Sequence, residues 1–130
     1  YKEKISAGIE KRIVWHAGVD PAGLLQFYHD ADMFALPSRW EGQANVLLES
    51  AAAALPAMTT EHAGFTKDCP FVIVSPHIPS QWAHSIAELC ASEEKYEIIA
   101  NRAVAWAASR SWTPLLAKYL QLYTQFDQSG

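Results

Sequence analysis

The sequence predicts an α/β protein with a parallel sheet flanked by helices, and two features carry this prediction. Short apolar runs without polar alternation are separated by segments with helical periodicity. Such runs are typical of strands that are buried on both faces of a parallel sheet. Strands that alternate with helices form parallel sheets through right-handed crossovers. The length of 130 residues fits one domain, so we treat residues 1–130 as a single domain.

Four short runs are predicted as strands. Each is rich in apolar or β-branched residues and is followed by Gly, Pro or a polar loop. The runs are residues 12–18, 32–37, 56–60 and 71–74. Four strands make a small sheet for this class of protein, so we expect about two further strands N-terminal to Tyr1.

Helices are predicted where capping residues and apolar periodicity coincide. Asp20-Pro21 and Thr113-Pro114 each place a capping residue before a Pro at the first helical position. Ser92 is also a capping residue, and an acidic first turn follows it. The predicted helices span residues 22–31, 44–54, 79–91, 92–109 and 113 onward, and Tyr1–Lys4 resembles the last turn of another.

The composition indicates a globular domain and excludes several classes of partner. Half of the residues are hydrophobic and 18% are charged, which argues against disorder. A net charge of −4 leaves no basic footprint for nucleic acid, and the 10 Lys and Arg residues are too dispersed for a polybasic membrane patch. No apolar run reaches the ~18 residues of a membrane span. Cys69 and Cys90 are interpreted as reduced thiols, and the His residues show no metal-binding spacing.

The junction between the second predicted strand and the next helix carries the functional signal. Glu41 lies in the loop and Glu49 lies on the helix, with Gly42 between them. The first amides of a helix lack intrahelical acceptors and suit a phosphate or diphosphate. Here these orphan amides belong to Ala44, Asn45, Val46 and Leu47. Two carboxylates beside such an anion site fit a nucleotide sugar, whose hydroxyl groups lie on either side of the diphosphate.

Spacing alone favours a simpler interpretation, in which Glu41 and Glu49 are solvated loop and helix carboxylates. The motif that contains them changes this balance. The stretch 37–51 followed by Leu55-Pro56 resembles the signature of GT-B glycosyltransferases of family 4, including its E-x7-E motif at Glu41 and Glu49. The resemblance covers most of the chain. Its weaker elements are Val14-Trp15-His16-Ala17-Gly18-Val19, Tyr28 with Ala31-Asp32, and Ser111-Trp112.

This resemblance implies a Rossmann-like sheet in the C-terminal, donor-binding domain of a GT-B enzyme, of which the chain is a part. It implies that Glu41 is the catalytic residue and accepts hydrogen bonds from the donor sugar, whereas Glu49 accepts them from the ribose. Ala17-Gly18-Val19 would border the nucleobase. The implied donor-binding residues are Gly18, Val19, Glu41, Gly42, Gln43, Ala44, Asn45, Val46, Leu47 and Glu49.

The implied function is transfer of a sugar from a nucleotide-diphosphate sugar to an acceptor hydroxyl, with retention and without a metal or another cofactor. The implied partners are the donor, an N-terminal acceptor domain of the same protein, and a sugar, polysaccharide or lipid-linked acceptor. The expected location is cytoplasmic, at the inner face of the membrane. Polysaccharide biosynthesis is the expected context.

Several departures from the family pattern keep another function open. Ala44 stands where Gly or Pro is usual and Ala54 stands where Gly is usual, and we interpret Ala54 as a packing difference. Residues 63–68 differ from the usual Gly-Gly-x-x-Glu, and no Arg–Lys diphosphate motif lies within residues 1–130. The fragment alone is therefore expected to be inactive. The alternative is a non-catalytic module that binds a nucleotide sugar or phosphate. A flavodoxin-like signalling domain is disfavoured, since the predicted strand ends carry no acidic cluster.

Overall fold

The structure is a computed structural model, and it describes residues 7–42, 44–64 and 69–127. Three strands and six helices are found in these ranges. In chain order they are α1 (Ala7–Glu10), α2 (Pro21–Asp30), β1 (Phe34–Leu36), α3 (Asn45–Ala52), β2 (Ala57–Thr59), β3 (Val72–Val74), α4 (Pro79–Cys90), α5 (Glu93–Ser109) and α6 (Trp112–Asp127). The α/β prediction is confirmed.

The strands form one parallel sheet in the order β1-β2-β3. Ala35 pairs with Met58, and Met58 pairs in turn with Ile73. All three residues of β2 are buried, as expected for the central strand of a parallel sheet covered on both faces. The parallel direction places the C-terminal ends of the strands, and the loops that follow them, along one edge of the sheet.

The predicted strand at residues 12–18 is wrong. Residues 13–20 form an irregular loop between α1 and α2, and Val14 and Trp15 are 77% and 52% exposed. A β-rich run becomes a strand only where another strand satisfies its backbone groups and its side chains find a surface to pack on. In the described ranges, no strand of the sheet pairs with residues 12–18. The helical turn predicted at Tyr1–Lys4 lies outside the described residues.

The helix starts follow the capping residues closely. The Asp20 carboxylate accepts a hydrogen bond from the Gly23 amide at 2.7 Å, and Pro21 is the first residue of α2. The Ser92 hydroxyl accepts one from the Lys95 amide at 3.2 Å. Of the three helices with a predicted cap, α6 is the exception: it begins at Trp112, ahead of the predicted Thr113-Pro114 start.

The core lies between the sheet, α3 and α5. Its buried residues are Ala44, Leu47, Ala51, Ala57, Cys69, Phe71, Ala103 and Trp106. The rings of Phe71 and Trp106 meet at 5.1 Å between centroids, and the Arg110 guanidinium lies 4.1 Å from the Trp106 ring centroid. Alanines on the facing surfaces of α3 and α5 are fully buried. These small side chains let the two helices approach closely.

The final helix presents apolar side chains to solvent. Leu120 and Tyr123 are 65% and 71% exposed, and Leu116 is more than half exposed. Despite this apolar surface, none of the helices in the described ranges is long and apolar enough to cross a membrane.

Ala54 marks a backbone constraint at the end of α3. Its φ is 61°, the left-handed region that glycine adopts without cost. The Ala54 amide donates to the Ala51 carbonyl at 3.1 Å, and the Leu55 amide donates to the Ser50 carbonyl at 2.9 Å. This pair of bonds is the Schellman ending, whose left-handed position is usually glycine. The interpretation of Ala54 as a packing difference is therefore wrong, because the departure from glycine strains the backbone.

We expect Ala54→Gly to stabilise the protein by about 1 kcal/mol, since it removes roughly 1–2 kcal/mol of left-handed strain and adds less unfolded-state entropy than that. Denaturant titration measures the change. Ala53→Gly is the matched control: Ala53 has a φ of −87°, so glycine there lowers the stability. Equal effects of the two substitutions would contradict the strain argument.

Candidate functional site

The loop from Pro37 to Ala44 connects β1 to α3 at the C-terminal edge of the sheet, and it is tied to two neighbouring loops. The Ser38 carbonyl accepts a hydrogen bond from the Thr60 hydroxyl at 2.6 Å. It also lies 3.2 Å from Nε2 of His77. Thr60 follows β2 and His77 follows β3, so all three strand ends converge on one carbonyl. This edge is where open α/β sheets bind ligands.

Glu41 is held in this loop at both its backbone and its side chain. Its amide donates to the His62 carbonyl at 2.9 Å. Its Oε1 accepts a hydrogen bond from the Ser38 hydroxyl at 2.7 Å. The residue is half-buried, and a carboxylate accepts through both oxygens. Glu41 therefore presents an oriented carboxylate whose Oε2 can accept from a ligand.

Glu49 is oriented by a residue from a different helix. Oε2 of Glu49 accepts a hydrogen bond from the Tyr28 hydroxyl at 2.9 Å, which joins α3 to α2. Tyr28 is buried, and its ring lies 6.0 Å from that of Phe34. Burial, together with the hydrogen bond to Glu49 and the charge of its carboxylate, raises the pKa of Tyr28 to about 12. The phenol therefore keeps its proton and remains a donor near neutral pH.

The start of α3 has no side-chain cap. Ala44 occupies the capping position and makes no side-chain capping bond. The Leu47 amide donates to the Ala44 carbonyl at 2.9 Å, so the prediction that Leu47 offers an orphan amide is wrong. The Leu47 and Ala44 side chains are buried in the core. The other three predicted amides, those of Ala44, Asn45 and Val46, lie at the N-terminal end of α3, where a helix offers amides to an outside acceptor.

The glycine before this helix faces open space. A Cβ added to Gly42 would meet no atom within 4 Å. The described residues around Gly42 therefore leave room for a larger side chain. Gln43, the next predicted donor-binding residue, lies outside the described residues.

The remaining predicted contacts lie in the loop before α2. Gly18 and Val19 are exposed, and a Cβ added to Gly18 would also meet no neighbour within 4 Å. They precede Asp20, the cap of α2, and the last turn of the same helix contains Tyr28. Thus α2 connects the loop predicted to border a base with the residue that holds Glu49.

Sequence reasoning missed the residues that orient the two carboxylates. Ser38 stands three positions before Glu41, a spacing at which a hydroxyl reaches a neighbouring side chain locally. Tyr28 lies 21 positions before Glu49, and Thr60 lies 22 positions after Ser38. Only the fold brings those pairs together. In the described part of the chain, no group of three His, Cys, Asp or Glu residues is arranged to hold a metal ion.

The architecture is shared with a solved glycosyltransferase. WaaG, described as a glycosyltransferase involved in lipopolysaccharide biosynthesis, superposes with a TM-score of 0.69. The match covers 88% of this chain and 32% of WaaG at 22% sequence identity, which establishes the fold of this part.

The family follows from the sequence match. The model of the family Glycosyl transferases group 1 matches residues 1–92, and the chain belongs to this family. The resemblance read from the E-x7-E stretch and its flanks is thereby confirmed at the level of the family.

Curated relatives agree with this assignment. The D-inositol 3-phosphate glycosyltransferase of Nocardia farcinica is 27% identical over 121 residues, which are 90% of this chain and 27% of that protein. The enzyme of the same name from Thermobispora bispora is 31% identical over 106 residues, 78% of this chain and 25% of that protein. The chain therefore spans about a quarter of the length of the curated relatives it matches.

Proposed function

We propose that this chain supplies part of the donor site of a glycosyltransferase that moves a sugar from a nucleoside-diphosphate sugar to an acceptor hydroxyl. The observation that carries the proposal is the pair of oriented carboxylates beside an uncapped helix start. Glu41 is held by Ser38, and Glu49 is held by Tyr28. Between them, α3 begins with the amides of Asn45 and Val46. Carboxylates recognise hydroxyls, and helix starts recognise phosphates.

Each part of the donor then has a chemical counterpart. The Asn45 and Val46 amides and the positive end of the α3 dipole face the diphosphate. Negative charge grows on this diphosphate as the glycosidic bond breaks, so oriented donors there stabilise the transition state. Oε2 of Glu41 accepts from the sugar hydroxyls, and Oε1 of Glu49 accepts from the ribose. Gly18 and Val19 border the base through main-chain contacts. We propose retention of configuration and no requirement for a metal.

The acceptor and the rest of the protein are proposed from the relatives. The names of the curated relatives specify an inositol phosphate, and the description of WaaG specifies lipopolysaccharide biosynthesis. Both contexts present polyhydroxylated acceptors, so we propose an acceptor hydroxyl on a polyol phosphate or a growing glycan. We assign its binding to a separate N-terminal domain and the reaction to the cytoplasmic side of the membrane.

The test is binding and transfer by the full-length gene product. We expect calorimetry to detect binding of one of UDP, GDP and ADP. We also expect the matching sugar nucleotide to release that nucleoside diphosphate when an acceptor is supplied. Binding without any transfer would favour the alternative, a non-catalytic module. If the folded protein binds none of the three nucleotides, the donor-site proposal is wrong.

A substitution to proline tests the helix start itself. Asn45→Pro removes one amide at the first position of α3, where proline is tolerated. Pro21 and Pro79 occupy the first positions of α2 and α4 in this chain. We expect the affinity for the nucleoside diphosphate to fall about tenfold, the cost of one charge-assisted bond. Glu93→Pro, at the first position of α5, is the matched control, and we expect it to leave the affinity unchanged.

A further inference from the structure

We propose that Tyr28 is a positioning residue that fixes Glu49, and through it makes the site select ribonucleotides over analogues without ribose hydroxyls. This inference rests on the proposed function, because it assigns Glu49 to the ribose. It adds a residue, a mechanism and a specificity to that assignment.

The first argument is the contrast between the two partners. Glu49 is exposed on α3, whereas the hydroxyl that binds it belongs to a tyrosine that is 8% exposed. An exposed glutamate samples several rotamers, and fixing it on binding costs conformational entropy. The Tyr28 ring is buried and packs near Phe34, so the position of its hydroxyl is restricted. The 2.9 Å bond restricts the Glu49 carboxylate before a ligand arrives.

The second argument is that Tyr28 is the donor in its hydrogen bond with Glu49. Burial and the adjacent Glu49 carboxylate raise the pKa of Tyr28 to about 12. The phenol is therefore the donor and Glu49 the acceptor. An ionised carboxylate has no proton to donate, so its Oε1 can only accept from the ligand. Ribose hydroxyls supply such protons, and a dideoxyribose supplies none.

The third argument is that α2 links the proposed base contacts to Tyr28. Tyr28 lies in the last turn of this helix, and the loop with Gly18 and Val19 leads into its first turn. The bond between Tyr28 and Glu49 joins α2 to α3. The helix that follows the proposed base contacts thus also anchors the proposed ribose contact, so the two contacts are linked through α2.

The experiment compares two ligands on two variants. The ligands are the diphosphate that binds, chosen from UDP, GDP and ADP, and its 2′,3′-dideoxy counterpart. In the full-length protein we expect the ribonucleotide to bind about tenfold or more tightly than the dideoxy form. In Tyr28→Phe we expect ribonucleotide binding to weaken about fivefold while dideoxy binding stays unchanged, because only the carboxylate orientation is lost.

Controls separate positioning from folding. Tyr96→Phe removes the hydroxyl of another tyrosine, which lies on α5, and we expect it to leave both affinities unchanged. Thermal unfolding and circular dichroism check that Tyr28→Phe keeps its fold. Glu49→Gln keeps the shape of the side chain, and we expect it to remove most of the discrimination.

The outcomes are distinguishable. If the wild-type protein binds a nucleoside diphosphate and Tyr28→Phe binds both ligands as tightly as wild type does, the positioning role is overturned and the donor site stands. Equal weakening of both ligands would also overturn it, because that result indicates a structural role. If the folded wild-type protein binds no nucleoside diphosphate, the proposed function fails first, and this inference fails with it.

Discussion

Phe71→Ala is expected to remove about 3–5 kcal/mol from the free energy of unfolding, which is a large share of the roughly 5–15 kcal/mol that holds a typical domain together. Phe71 is 1% exposed and precedes β3 directly. Its ring packs against Trp106 of α5 at 5.1 Å between centroids. Truncation loses the transfer free energy of the ring and leaves a cavity that α5 cannot fill without moving.

Denaturant titration, followed by tryptophan fluorescence, measures this loss. Phe27→Ala is the matched control, because Phe27 is 41% exposed on α2 and its ring meets only that of His16 among the ring pairs described. We expect the control to change the stability by less than about 1 kcal/mol. Similar losses for the two variants would show that burial against α5 is not what stabilises the sheet.

The starts of α2 and α5 were predictable because their signals are local. Asp20 and Ser92 cap helices through bonds to amides three residues later, and such bonds depend on no distant partner. The strands 32–37, 56–60 and 71–74 were predictable as buried apolar runs, and β1, β2 and β3 lie within them. The run at 12–18 also contains apolar and β-branched residues, but no described strand lies beside it. Strand formation depends on that partner, which composition does not encode.

In the candidate site, too, the local contacts were predictable from the sequence and the contacts between distant segments were not. Glu41 and Glu49 were identified through a motif, and Ser38 is close enough in sequence to join Glu41 by a local bond. The bond from Tyr28 to Glu49 requires α2 and α3 to pack side by side. The left-handed backbone at Ala54 was also unpredictable from its side chain, since alanine normally avoids that region. The sequence therefore predicted the motif but not the Tyr28 contact or the Ala54 backbone conformation beside it.

Glu41→Gln is expected to lower kcat/KM for sugar transfer about 100-fold in the full-length protein, because hydrogen bonds to a charged acceptor contribute roughly 1.5–3 kcal/mol each. Glutamine preserves the shape of the side chain and can still accept from Ser38. It lacks the negative charge, and its amide group presents donors where sugar hydroxyls need an acceptor. Because Glu41 faces the sugar in the proposed site, the affinity for the bare nucleoside diphosphate should stay unchanged.

This separation of transfer from diphosphate binding distinguishes the two carboxylates. Tyr28→Phe and Glu49→Gln act on the ribose and should weaken the bare nucleoside diphosphate, whereas Glu41→Gln should affect only ligands that carry the sugar. Glu97→Gln, at an exposed position of α5, is the control for a general change of charge. If Glu41→Gln leaves transfer within about twofold of wild type, Glu41 does not recognise the donor sugar. If it weakens the bare diphosphate as much as Glu49→Gln does, both carboxylates lie at the nucleotide end, and the sugar must be held by residues outside this loop.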